Sequence, residues 1–190
     1  MALNQEVFRA SLSRFMDPES EEWKLLIDGS AGNYPESSDE FGQKWAESIS
    51  SLLFAAPTTQ MVPPVVTTPQ SVTSFHFLIE ALSLALEAAR PDPPLIPTAS
   101  LFRQVFNSAF SLFGSSLSGM IATNSGGVAT PPGGQIGTQI MSVVEEIQND
   151  ISIEHNRKST EVVNRITEVV VAWFKTGTYT PAGGNTIFWS

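Results

Sequence analysis

A chain of 190 residues with 42% apolar and 15% charged composition is long enough for one domain, or two small ones, around a genuine core. The absence of cysteine excludes a disulfide scaffold, thiolate chemistry and every Cys-based metal site. Nineteen acidic against ten basic residues give a formal charge of −9, and without clustered Lys and Arg the chain lacks what neutralising nucleic acid requires.

Taken in chain order, residues 4–16 read as a short helix, with Val7, Phe8, Leu12, Phe15 and Met16 at spacings of three and four, ended by Asp17-Pro18. The following segment mixes an apolar Trp-Lys-Leu-Leu-Ile run with Gly and Pro and reads as a connector with one anchored turn. Ser37-Ser38 before Asp39 and Glu40 is a helix start signal, because a hydroxyl cap and first-turn acids complement free backbone N–H groups. Phe41, Trp45, Ile49 and Leu52/Leu53 continue that helix to about Ala56, where Pro57 and the proline-rich run behind it turn the chain extended. A third helix is expected over about 72–90, with Phe75, Leu78, Ile79, Leu82 and Leu86 on a broad apolar face. Pro91-Asp92-Pro93-Pro94 breaks the chain, and Thr98 or Ser100 caps a fourth helix to about Ala122, lined by Leu101, Val105, Phe106, Ala109, Phe110 and Phe113. A last long helical region is expected over about 136–174, interrupted near the charged Glu154–Ser159 turn; Glu168–Phe174 is β-branched enough to read as strand instead.

Charge is unevenly placed. Of the 29 charged residues, 14 lie in 1–47, five in 48–144 and ten in 145–190, and the 41 residues from Gln104 to Val144 carry none. Three readings fit that stretch: buried helix plus polar loop, a surface covered by partner subunits, or a membrane-inserting segment. Residues 105–122 pass on length, but Asn107 and the serines at 108, 111, 115, 116 and 118 lower the hydrophobicity, and no Lys/Arg cluster flanks the segment to set orientation. A packed helix and no stable membrane insertion are therefore expected. The N-terminus lacks a basic and then apolar leader pattern, so no secretory signal is expected either.

Two segments share their punctuation, residues 119–140 and 171–190. In each, a helix runs out through Thr and Gly into a β-prone piece, Gly127-Val128-Ala129-Thr130 or Gly177-Thr178-Tyr179-Thr180, then Pro, then Gly-Gly. Either chance or an internal duplication accounts for the match. On Gly126–Gly134 and Thr176–Ser190, the style of residues 41–190 resembles helical virion structural proteins of tailed bacteriophages, in which small-residue-rich helices alternate with Gly/Thr/Pro loops. The resemblance implies a non-enzymatic subunit held among copies of itself or other virion proteins, located in the virion after assembly in the host cytoplasm.

No chemical motif competes with that expectation. His76, between Phe75 and Phe77, reads as a half-buried structural histidine, and His155 as a surface residue. Neither sits in an HExxH-like arrangement, so no zinc is expected. There is no G-x-S-x-G elbow and no P-loop, and Glu145, Glu146, Asp150 and Glu154 read as a solvated stripe. Glu80, four residues after His76, leaves an acid/base pair as a minor enzymatic reading. Phe188-Trp189 must be hidden somewhere, in the same chain or on a neighbour.

The expected fold is mainly α, a bundle of about five helices with long Pro- and Gly/Thr-rich loops and a small β element near 127–130 and 177–189. Residues 1–36 are expected to form a charged N-terminal helix and connector, 37–175 the helical domain, and 176–190 a docking tail with Tyr179, Phe188 and Trp189 as partner-binding residues. No catalytic residue, cofactor or metal is expected. A holin- or pore-type protein using residues 105–122 is the alternative.

Overall fold

The computed structural model describes residues 3–24, 35, 37–54, 76–81 and 99–189. They form a mainly helical fold with a small three-stranded antiparallel sheet, as the sequence leads one to expect. Helices α1 (Gln5–Met16), α2 (Glu21–Lys24) and α3 (Ser38–Phe54) are followed by a helical stretch over 76–81 (α4) and by α5 (Ala99–Ser125), strand β1 (Gly127–Thr130) and α6 (Ile136–Asn149). A 3-10 turn (His155–Arg157) leads into α7 (Lys158–Phe174), and strands β2 (Thr178–Pro181) and β3 (Ile187–Phe188) complete the fold. The expected third helix is helical over 76–81; its remaining residues and the proline-rich segments at 57–70 and 91–97 lie outside the described residues.

Local chemistry explains the element boundaries. Asn4 Oδ1 accepts from Val7 N–H at 3.2 Å to open α1, and Asp17 closes it. Ser37 Oγ accepts from Glu40 N–H at 3.1 Å, so the start signal of α3 is realised one residue ahead of the helix. α6 begins differently. Its own flanking residue Gln135 makes no side-chain cap, and the first-turn N–H of buried Gly137 instead donates to Asn107 Oδ1 of α5 at 2.8 Å.

The Val-rich Glu168–Phe174 segment is helix, not strand. Val163, Ile166, Val170 and Trp173/Phe174 repeat with a helical period and are buried along one stripe of α7, and that burial outweighs the β preference of the valines. The break between α6 and α7 falls where the charged turn sits. Asp150 Oδ1 accepts from the backbone N–H and hydroxyl of Ser152, Lys158 Nζ donates to the Gln148 carbonyl, and these hydrogen bonds to Ser152 hold the Asp150 carboxyl below its ordinary value.

One core joins these elements. Trp45 of α3 lies edge-on to Phe106 (centroids 5.0 Å apart) and Phe110 (6.3 Å) of α5, and Phe110 lies edge-on to Trp173 of α7 at 5.2 Å. α1, which the sequence places in a charged segment outside the helical domain, contributes Phe8, Leu12 and Phe15 to this same core. It is tied to α3 by the Ser11–Ser48 hydroxyl pair at 2.8 Å and by Asn4 N–H donating to the Leu52 carbonyl.

α5 carries most of the uncharged stretch. Its buried side is Val105, Phe106, Ala109, Phe110, Phe113, Leu117 and Ile121, and its outer side is Gln104, Ser108, Ser111, Leu112, Ser115, Ser116 and Gly119. By length and composition, Phe102–Thr123 suffices to cross a membrane, but here most of its large apolar residues face the protein core, Leu112 excepted, and Ser108, Ser111, Ser115 and Ser116 face outward while Ser118 is buried. The two charges that bracket the uncharged stretch meet each other: Arg103 Nη2 donates to both Glu145 carboxylate oxygens at 2.7 and 2.9 Å, closing α5 against α6.

Candidate functional site

The two look-alike segments pair with each other. β1 lies antiparallel to β2 with Val128 opposite Thr180, Ala129 opposite Tyr179 and Thr130 opposite Thr178, and β2 pairs in turn with β3 through Thr178–Phe188 and Tyr179–Ile187. Alternation along each strand sorts the side chains into two faces. Ala129, Tyr179 and Ile187 turn onto the core. Val128, Thr130, Thr178, Thr180 and Phe188 share the outer face, where Val128 is 70% and Phe188 66% exposed, and where the Thr180 and Thr186 hydroxyls meet at 2.8 Å.

Sheet order β1-β2-β3 leaves β1 at one edge. Among the described residues, no hydrogen bond outside the β2 ladder involves Gly127–Thr130, so alternate N–H and C=O groups of β1 point away from the protein unpaired. Edge strands are ordinarily blunted by a charge or a proline, and Gly-Val-Ala-Thr has neither.

The three residues singled out by sequence separate in the structure. Trp189 is 1% exposed, its backbone N–H donates to the Gly177 carbonyl at 3.0 Å, and its ring fills the space beside Gly177; Tyr179 is also buried. Only Phe188 faces outward. The dipeptide alternates as a strand does, one ring in and the next out. Truncation at 176 therefore removes two core side chains along with the exposed one. A Cβ at position 177 would lie 2.6 Å from the Trp189 ring, so Gly177→Ala is expected to lower stability by about 1–3 kcal/mol through displacement of that ring. Chemical denaturation followed by tryptophan fluorescence reads this directly.

Of the carboxylates expected to form a solvated stripe, Glu145 meets Arg103, Glu146 lies 3.7 Å from Arg165 and Asp150 accepts from Ser152, while Glu146 and Glu154 are exposed. His155 is exposed in the 3-10 turn. His76 is different. On α4 it donates from Nε2 to Asp39 Oδ1 of α3 at 2.9 Å, and Glu80 stands one helical turn further along α4. Donor atoms of Asp39, His76 and Glu80 all lie within 4.8 Å of one another. The sequence shows the His76–Glu80 spacing but not Asp39, which comes from another helix 37 residues upstream. No family model matches the chain, and comparison with curated proteins and with solved structures finds no match.

Proposed function

We propose that the chain is a non-enzymatic structural subunit that self-associates by adding the β1 edge of one copy to the β1 edge of a second, as a building unit of a larger assembly of the virion type. The observation that carries this reading is an open, uncharged, proline-free edge strand that carries an exposed Val128 on its outer face.

Charge favours a second copy as the occupant. Two chains of net charge −9 repel across most of their surfaces, and contact is least costly where neither carries charge. β1 lies inside the uncharged 104–144 stretch. The strand is also suited to antiparallel pairing with a sequence like its own, since it already pairs in that way with Thr178–Pro181. A β1–β1 junction would fuse two three-stranded sheets into one of six strands, with Val128 of each copy beside the seam.

Sedimentation velocity tests the reading. The wild-type chain is expected to sediment as a discrete oligomer that dissociates on dilution toward 20.5 kDa. Val128→Lys, a change at an exposed side chain, is expected to shift the equilibrium at least tenfold toward monomer with unchanged far-UV circular dichroism, because it sets like charges against each other at the seam. A wild-type chain that stays monomeric at millimolar concentration defeats the proposal.

A further inference from the structure

The geometry points to a mononuclear metal site of the zinc class at Asp39, His76 and Glu80, clamping α4 onto α3. One imidazole nitrogen and two carboxylate oxygens are a donor set that suits Zn²⁺, leaving a fourth position for water. Tetrahedral coordination at bond lengths of about 2.0–2.1 Å sets neighbouring donors roughly 3.3 Å apart. The observed spread of up to 4.8 Å closes to that by side-chain rotation alone, because Asp39 is exposed and Glu80 only half-buried.

The two helices hold the ring ready. His76 and Glu80 are four apart and share one side of α4. Gly42, less than one turn after Asp39 on α3, lets the helices touch at backbone level: a Cβ there would stand 3.0 Å from His76 Nδ1 and from the His76 carbonyl oxygen. The ring is thus fixed by packing instead of by a flexible loop.

His76 Nδ1 is buried toward Gly42 of α3 with no hydrogen-bond partner, so the nitrogen free to take an ion is Nε2, which faces Asp39. The fold also brings two carboxylates from different helices to the same imidazole in a chain that is already strongly acidic. A divalent ion bonded to the ring and to both carboxylates balances that charge and ties together elements far apart in sequence.

The test is calorimetric titration of the full chain with Zn²⁺ alone, near neutral pH, for the wild type and for Glu80→Gln, His76→Gln and His155→Gln. The wild type is expected to bind one Zn²⁺ per chain at micromolar Kd. At about a hundredfold excess over Kd its Tm is expected to rise by about 5–10 °C. Glu80→Gln, a change of charge without change of size at a half-buried position, should weaken binding at least tenfold and abolish most of the Tm rise, and His76→Gln should do the same. His155→Gln should leave both unchanged. Absence of saturable binding by the wild type, undiminished binding by Glu80→Gln, or loss of binding in His155→Gln overturns the assignment. Self-association through β1 is read separately by sedimentation, so either proposal can fail without the other.

Discussion

Trp45→Ala is expected to lower the unfolding free energy by about 3–5 kcal/mol, among the largest effects of a single truncation at the described residues. Trp45 is fully buried at the junction of α3 and α5, with its ring edge-on to Phe41, Phe106 and Phe110. Truncation removes the transfer free energy of a buried indole and leaves a cavity ringed by aromatic groups that cannot rotate into it without giving up their own edge-to-face contacts. Trp45→Phe separates the two contributions. It keeps a ring in the site and removes the indole Nε1–H, which is buried without a hydrogen-bond partner, so its cost is expected to be about 1 kcal/mol or less. Urea denaturation of both variants gives the comparison, and equal losses would show that the ring is not the element that matters.

A second large effect is expected from adding a single carbon. A Cβ on Gly137 would fall inside contact distance of the Arg103 carbonyl oxygen, Phe106 Cβ and the Asn107 backbone nitrogen. These are backbone or near-backbone atoms of α5, so no side-chain rotation makes room and α6 must lift away from α5. The lift also breaks the Asn107–Gly137 hydrogen bond and pulls on the Arg103–Glu145 pair. Gly137→Ala is therefore expected to destabilise by about 2–4 kcal/mol. Asn107→Ala, which loses the cap but keeps the close approach, is expected to cost only about 1–2 kcal/mol. A reversed order, measured by thermal unfolding, would show that the hydrogen bond and not the helix approach sets the α5–α6 geometry.

These two sites mark the boundary of what the sequence discloses. The residues that stop and start helices act locally, so Ser37 capping α3, Asp17-Pro18 ending α1 and the charged turn between α6 and α7 are all legible in sequence order. The periodic apolar stripe of α5 is legible for the same reason. What joins the helices is not: Asn107 capping Gly137 across 30 residues and Arg103 meeting Glu145 across 42 depend on the packing they help to create. The Val-rich end of α7 stayed ambiguous because β-branched residues favour strand locally while their spacing favours helix, and only burial against α1 and α6 decides.

The candidate sites divide along the same line. The shared Gly-Val/Thr-x-Thr pattern marks both strands, yet which edge remains open follows from the order β1-β2-β3, which no local pattern carries. Phe188-Trp189 is conspicuous as a pair in sequence, whereas the strand geometry sends Trp189 inward and Phe188 outward. His76 and Glu80 are visible as a helical pair, and Asp39 joins them only because Gly42 permits α3 and α4 to touch.

Absence of native cysteine offers the most direct test of pairing through β1. Single cysteines at Val128 and Thr130, and the two together, sit on the outer face of the strand, where residues opposite each other across an antiparallel seam fall within disulfide reach. A cysteine at Ile151, 99% exposed between α6 and α7, is the control. Mild oxidation at micromolar protein should give a covalent dimer of twice 20.5 kDa from at least one β1 variant and little from Ile151→Cys. Crosslinking no greater at 128 and 130 than at 151 would contradict edge-to-edge assembly of this chain.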